Sequence, residues 1–378
     1  VHVAIVNYPY PAQARSPAEL LARFPALTGW AEALRAAGAR VTVLQRFSAD
    51  GAIERAGVRY QLVREPGGPN PAGWRAPRRL HAAALAAAPD AVHLHGQIFP
   101  LQALALRRAL PRRAALLVQH HGGDPPAGAG PRALARRALY RLGLRAADGF
   151  MFTAAEMADA WRAAGMIGPG RPVYAVVEAS TELRAPEGPP APLPGRPALL
   201  WVGRLHPVKD PLTVLDGFAL ALRELPGATL SMAFGSEELL GAVRARVARA
   251  DLVGRVRLLG RVEHGALPAL YAGADMFVLG SRREAAGFAL IEALACGLSP
   301  AVTDIAPFRA VAGGVGARWP AGSPAGCAAA ILSLARGDRA AARAAARARF
   351  EQALSWPAIG AAALAAYNDL VGRRCELR

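Results

Sequence analysis

Residues 198–211 read ALLWVGRLHPVKDP, and the punctuation of this stretch decides the fold. The apolar run 198–202 has the length of a buried strand and is too short for a helix. Gly203 ends it. Asp210-Pro211 then predicts the start of a helix, because Asp is a favoured N-cap and Pro a favoured first helical residue. The loop between carries Arg204 and Lys209 at the carboxyl end of a strand. The same strand–loop–helix scheme runs along the chain. Further strands are predicted at 3–6, 41–44, 60–63, 91–94, 115–118, 150–153 and 173–177, then at 229–234, 256–259, 276–279 and 300–303. Alternation of this kind predicts parallel sheets joined by right-handed crossovers.

The stretch 184–196 (RAPEGPPAPLPGR) carries five prolines and no periodicity, which is linker composition. It separates two halves, each suited to one Rossmann-like domain: 1–184 and 198–355, with 185–197 as linker. Ligands in such folds sit at the carboxyl ends of the strands. The Ala/Arg-rich stretch 338–349 is expected to be an exposed helix.

Composition narrows the class. Lys209 is the one lysine among 45 Lys and Arg residues, in a chain rich in Arg, Ala, Gly and Pro. Lysine is a compact point charge and arginine a rigid planar fork, so a tight phosphate-gripping loop can distinguish them. No apolar run reaches the roughly 18–20 residues of a membrane-spanning helix. The strand at 3–6 has no basic region before it, so a secretory peptide is not expected. Cys296, Cys327 and Cys375 have no metal-ligand spacing and read as free thiols in a reducing cytoplasm.

The formal net charge is +17, unevenly placed. Between residues 101 and 145 stand nine arginines against one acid, Asp124. Such a face could attract an anionic membrane surface or substrate, which would put the protein at the inner face of the membrane. Nucleic acid is not an expected partner: aromatics are not interleaved with the basic residues, and no DNA- or RNA-binding signature appears.

A second stretch, 281–297 (SRREAAGFALIEALACG), carries Glu284 and Glu292. It follows a buried-strand pattern; Gly287 opens a helix and Gly297 closes it. Glu284 lies in the loop above the strand end, and Glu292 in the early helix with its side chain tilted back toward that loop. Paired carboxylates accept strongly from the vicinal hydroxyls of a ribose or hexose. The N–H groups of Phe288, Ala289 and Leu290 are expected to be free in the first turn and open to phosphate.

With Gly203-Arg204…Lys209 and Glu284…Gly287-Phe288…Glu292 in place, the chain resembles the retaining GT-B glycosyltransferases, specifically glycosyltransferase family 4. Most of the chain is covered: 259–262 (LGRV) resembles the family's base-binding strand end, 270–275 (LYAGAD) its approach to the glutamate element, and 302–305 (VTDI) the strand that follows. The resemblance implies a GT-B fold, two Rossmann-like domains facing across a deep cleft, with a C-terminal helix at about 356–378 packed back on the first. It implies that Arg204 and Lys209 hold the donor diphosphate and Glu292 the ribose. Glu284 would bind the transferred sugar, with Gly203, Gly287, Phe288, Ala289 and Leu290 contacting donor, and Arg261 and Val262 flanking the base.

The first half resembles the family at 116–123 (LLVQHHGG), where His121 corresponds to the donor-sugar histidine and His120 is the one-residue alternative. His95-Gly96 closes the preceding strand. Two departures concern the acceptor side. The loop 7–12 (NYPYPA) lacks a glycine pair, and Glu178-Ala-Ser-Thr181 stands where the family commonly has Asn-Gly. The implied activity is retaining, metal-independent transfer of a hexose from a nucleoside diphosphate sugar to an acceptor hydroxyl, with Glu284, His121, Lys209 and Arg204 carrying it. No Asp-x-Asp stands in the chain, and no cofactor is expected. A sugar-nucleotide epimerase of similar fold and a catalytically silent nucleotide-sugar-binding subunit are the competing classes.

Overall fold

The computed structural model describes residues 1–9, 13–65, 75–188 and 190–376. Tyr10–Ala12 of the loop after the first strand, Pro189 of the proline-rich stretch, and the last two residues of the helix expected over 356–378 lie outside them. The chain divides into two compact units, Val1–Ala179 with Trp356–Arg378, and Ser180–Ser355. Among the described residues no helix is long and apolar enough to cross a membrane.

The first unit is built on eight strands: β1 (His2–Asn7), β2 (Arg40–Phe47), β3 (Gly51–Arg55), β4 (Val58–Arg64), β5 (Ala91–His95), β6 (Ala115–Gln119), β7 (Gly149–Phe152) and β8 (Val173–Ala175). Their order across the sheet is β3-β4-β2-β1-β5-β6-β7-β8. All pairings are parallel except that of β3 with β4, which is an antiparallel hairpin. This corrects the expectation of a purely parallel sheet. β3 has no buried residue, so its sequence lacks the apolar run by which strands were sought. β1, by contrast, is buried at all six positions, as a central parallel strand covered on both faces must be.

Helices Pro25–Ala36 and Trp356–Glu376 pack against each other. Their approach needs glycine on both sides: a Cβ on Gly29 would lie 2.2 Å from the Trp356 ring, and one on Gly360 would lie 2.3 Å from the Ala33 carbonyl oxygen. The C-terminal helix is also held by charge. Asp148 is buried, accepts from the Leu116 amide (2.8 Å), and is paired with Arg107 (3.0 Å) and Arg374 (2.6 Å).

The second unit has six parallel strands, β9 (Ala198–Gly203), β10 (Thr229–Phe234), β11 (Val256–Gly260), β12 (Met276–Leu279), β13 (Pro300–Thr303) and β14 (Ala317–Trp319), in the order β11-β10-β9-β12-β13-β14. β14 has only one fully buried residue, and no strand was expected there. The chain steps outward from β9 to β11 on one side, then returns to place β12 on the other. The switch point therefore lies between β9 and β12, where ligands bind in open α/β sheets.

Two segments expected to be a linker and an exposed helix also make specific contacts. The proline-rich stretch does not hang free, for Leu193 donates its amide to Gly273 and Arg196 to Gly227, both at 2.8 Å. The Ala/Arg helix runs Arg339–Ala353 and is exposed over much of its surface, as expected, but one face of it is docked. Ala346 and Phe350 are buried, and three arginines on it reach the carboxyl ends of three other helices. Arg343 donates to Ala272 and Ala274, Arg347 to Ala295, and Arg349 to Ala310 and Val311. Each guanidinium satisfies orphan carbonyls and meets the negative end of a helix dipole.

Candidate functional site

In the second unit the loops after β9 and β12 are tied together. After β9 the chain makes a short 3-10 turn at Pro207–Lys209, and Asp210, in left-handed backbone (φ 45°), caps helix Pro211–Ala221 by accepting from the Thr213 amide. The Asp210 carboxylate is paired with Arg282 of the other loop (2.7 Å), whose amide donates to the Val208 carbonyl (2.8 Å). Lys209 is paired with Glu284, which also accepts from the Ser281 hydroxyl (2.7 Å). The loops can approach this closely because position 280 is glycine; a Cβ there would lie 2.8 Å from Val214 and 3.1 Å from the Asp210 carbonyl.

Two of the expected residues, Lys209 and Glu284, therefore meet directly, with side chains only 15% and 11% exposed. Arg204 is exposed and makes no ion pair among the described residues. It leaves an uncompensated positive charge beside the Lys209–Glu284 pair in sequence and at the same strand end. Gly287, in left-handed backbone (φ 81°), precedes helix Phe288–Ala295. A Cβ there would lie 2.6 Å from the Phe308 ring, so a larger residue would be both strained and blocked. The amides of Phe288 and Ala289 have no acceptor among the described residues. The Leu290 amide, expected to be free, donates to the Gly287 carbonyl at 2.9 Å, because the first turn tightens to i→i+3 spacing. Two donors, not three, are open at this helix start.

Glu292 is held from both sides. Its Oε1 is 3.0 Å from Nε2 of His264, and its Oε2 accepts from the buried Tyr271 hydroxyl at 2.9 Å. Burial, and then the charge of Glu292, push the Tyr271 phenol well above its ordinary value, so it stays a neutral donor. Neither partner was singled out from sequence. Tyr271 stood inside the quoted stretch 270–275, but its register toward Glu292 needs the folded sheet. Arg261 and Val262 follow β11, exposed and half-buried.

In the first unit β5 ends in His95, and His120 and His121 follow directly on β6. His120 is turned inward: its Nδ1 accepts from the Gly122 amide (3.2 Å), its Nε2 faces the Gly123 carbonyl (3.1 Å), and its ring stacks on Phe152. Burial pulls it below the ordinary imidazole range. His121 is 27% exposed and lies 2.7 Å from Glu178 through Nδ1 and 3.2 Å from His95 through Nε2. Of the two alternatives, His121 is the ring with a surface to offer.

Two parallel-sheet α/β units, with charged loops at a switch point, define the GT-B class of nucleotide-sugar proteins. Residues 196–336 match the family described as glycosyl transferases group 1, and residues 25–176 match the glycosyl transferase 4-like domain. The chain belongs to this glycosyltransferase family. It is 30% identical over 221 residues to the GDP-mannose:cellobiosyl-diphosphopolyprenol alpha-mannosyltransferase of Xanthomonas oryzae, which covers 58% of this chain and 57% of that protein. The match thus spans little more than half that relative's length. Among solved structures, sucrose-phosphate synthase from Thermosynechococcus elongatus shares its fold (TM-score 0.67, 19% identity, 98% of this chain and 99% of that one). So does Anabaena HepE, solved with UDP and glucose (TM-score 0.61, 16% identity, 100% of both chains).

Proposed function

We propose that the protein transfers a hexose from a nucleoside diphosphate sugar to an acceptor hydroxyl, with retention of configuration and without a metal. The observation that carries this reading is the cluster at the β9–β12 switch point: Lys209 paired with Glu284, Arg204 uncompensated, and two open amides at a helix start. Departure of the diphosphate leaves negative charge on it. Arg204, Lys209 and the Phe288 and Ala289 amides are the groups to stabilise that charge in place of a metal ion. Glu284 and Glu292 accept from sugar and ribose hydroxyls. His121 contacts the transferred sugar, and Arg261 and Val262 flank the base. Retention follows if the acceptor attacks on the face the diphosphate leaves, with the leaving phosphate taking its proton. That one relative is named for GDP-mannose and one structural neighbour holds UDP supports a nucleoside diphosphate sugar as donor.

A thermal-shift screen against UDP-, GDP- and ADP-sugars, followed by transfer assays with the stabilising donor, tests the reading, since a ligand that prefers the native state raises apparent stability. No shift with any of them would overturn it. Incubation with donor alone separates transfer from epimerisation.

The helix Pro131–Leu144 favours a peripheral membrane location for the reaction. Leu134 and Leu142 are 53% and 55% exposed on it, with Arg132 and Arg136 exposed alongside. Apolar side chains flanked by cations suit the interface of an anionic bilayer. Vesicle co-sedimentation should fall with salt and in Leu134→Glu/Leu142→Glu; binding unchanged in that variant would reject the location.

A further inference from the structure

The amino ends of β7 and β8 carry more positive charge than their own carboxylates balance. Asp148 stands directly before β7, and Arg171 and Pro172 directly before β8. In a parallel sheet these ends lie opposite the turn after β6 that carries His120 and His121. Between them and the C-terminal helix, wholly within the first unit, is a cavity of about 250 Å³. Asp148, Arg171, Arg373, Arg374 and Glu376 line it, with Pro172 and Leu370 as an apolar wall.

Three guanidiniums converge on one carboxylate. Asp148 is 5% exposed. Its Oδ2 accepts from the Leu116 amide (2.8 Å) and Arg107 (3.0 Å), and its Oδ1 from Arg374 (2.6 Å). Arg171 approaches Oδ1 only to 3.5 Å, an ion pair without a hydrogen bond. The donors are unequally committed. Arg107 places its terminal nitrogens on Asp148 and on the carbonyls of Ala114, Leu110 and Pro111. Arg374 gives Nε to the Arg112 carbonyl and one terminal nitrogen to Asp148; the other has no acceptor among the described residues. Arg373 gives Nε to Asp369 (2.6 Å). Among the described residues the Arg171 side chain makes no hydrogen bond.

Three cations on one buried carboxylate leave two positive charges in surplus. Arg373 and Asp369 cancel, and Glu376, which is exposed, offsets one at most. Arg112, exposed before β6, adds a further cation at this end. Burial pulls Arg107 below its ordinary value, opposed by Asp148 and reinforced by the like charges of Arg374 and Arg171. A guanidinium fork matches the oxygens of a phosphate. The cavity has more room than a bare phosphate fills, and its apolar wall suits a small substituent.

We propose that this cavity binds a phosphate monoester. Arg171, Arg373 and the uncommitted nitrogen of Arg374 take the phosphate oxygens, and Pro172 and Leu370 face the substituent. The bound anion ties the C-terminal helix to the start of β8. This site is separate from the charged loops of the second unit and does not depend on the transfer reaction. A soluble phosphate ester and a phospholipid head group present the same chemistry to it.

Hydrogen exchange by peptide on the full chain, with and without glycerol 3-phosphate, reads the site. Lys209→Ala serves as the background, so that phosphate held by the second unit does not contribute. The probe should slow exchange, saturably, in peptides covering 166–175 and 365–376. Arg171→Gln should weaken its apparent affinity by about 10-fold, the effect of losing one hydrogen bond to a charged group, and Arg171→Gln/Arg373→Gln should weaken it further. Neither arginine holds Asp148 by a hydrogen bond, so both changes spare the anchor of the helix; if the double variant does not fold, Arg171→Gln alone decides. No protection of these peptides, or protection equal with and without Arg171, would overturn the proposal and leave the arginines as helix anchors only. Displacement of the probe by vesicles of phosphatidic acid in phosphatidylcholine, and not by phosphatidylcholine alone, assigns the site to a lipid head group. Protection that such vesicles leave unchanged assigns it to a soluble phosphate ester.

Discussion

The carboxyl ends of the two sheets solve opposite electrostatic problems. In the second unit the loops after β9 and β12 are rich in charge and held by pairing, Lys209 with Glu284 and Arg282 with Asp210. In the first unit β5 and the turn after β6 carry imidazoles that burial keeps neutral: His93 within β5 is pushed down to about 3, His95 at its end well below its ordinary value, and His120 below it. The first arrangement suits a diphosphate, whose charge must be met by cations already in place. The second suits hydroxyls, which need oriented donors and acceptors rather than net charge.

The largest effect that would break this contrast is at Lys209. Lys209→Ala should lower kcat/KM by about 10²- to 10³-fold, the scale for removing one preorganised charge-stabilising group, while circular dichroism and Tm stay near wild type. Lys209→Arg keeps the charge and changes its shape, so an intermediate rate would show that the loop needs the point charge. Full activity of Lys209→Ala would remove the diphosphate role from the second unit.

Acid should separate the two units next. His81 of the first unit is buried and lowered to about 4. An unfolded histidine near 6.5 takes up a proton that the folded one refuses, so stability is present above 6.5 and is lost as pH falls through the window from 6.5 to about 4. For His81 alone the loss is about 3 kcal/mol, and His93 extends the window downward to about 3. Hydrogen exchange by peptide at pH 7 and pH 4.5 should show the first unit losing protection before the second. Loss in the opposite order would contradict the neutral-imidazole account.

Smaller effects sharpen the picture of the second unit. Tyr271→Phe removes the hydroxyl donated to Glu292 and should cost about 1.5–3 kcal/mol, as for a hydrogen bond to a charged group. It should also weaken donor binding in a thermal-shift titration. Arg347→Ala removes the guanidinium from the carboxyl end of helix Phe288–Ala295 and should lower stability by about 1 kcal/mol, read as a shifted urea midpoint with unchanged m. Arg347 is remote from the charged loops, so kcat should hold.

Legibility followed the range of the interaction. β9, β10, β12 and β13 could be read directly because a buried parallel strand is a local apolar run. β3 could not, because an exposed edge hairpin has no such run. The Asp210 cap and the glycine at 287 were visible for the same local reason. The partners of the site were not: Tyr271 and His264 reach Glu292 from the preceding helix and its approach, and Glu178 reaches His121 across β7 and β8. The amide of Leu290 was not legible either, because whether the first turn starts with i→i+3 or i→i+4 spacing is set by the folded backbone, where both Leu290 and Ile291 donate to the Gly287 carbonyl.

What the sequence determined by itself is the alternation of most strands and helices, the placement of Arg204, Lys209 and Glu284 in loops at strand ends and of Glu292 in the helix that follows, and the scarcity that makes Lys209 stand out. These depend on residues within a few positions of one another, where propensity and capping act. The tertiary structure alone decided which charges cancel. It spent Lys209 on Glu284, left Arg204 open, closed Glu292 between Tyr271 and His264, and gave Glu178 to His121. Ion pairs depend on distances of about 3 Å between groups far apart in the chain, and only the folded sheets set those distances.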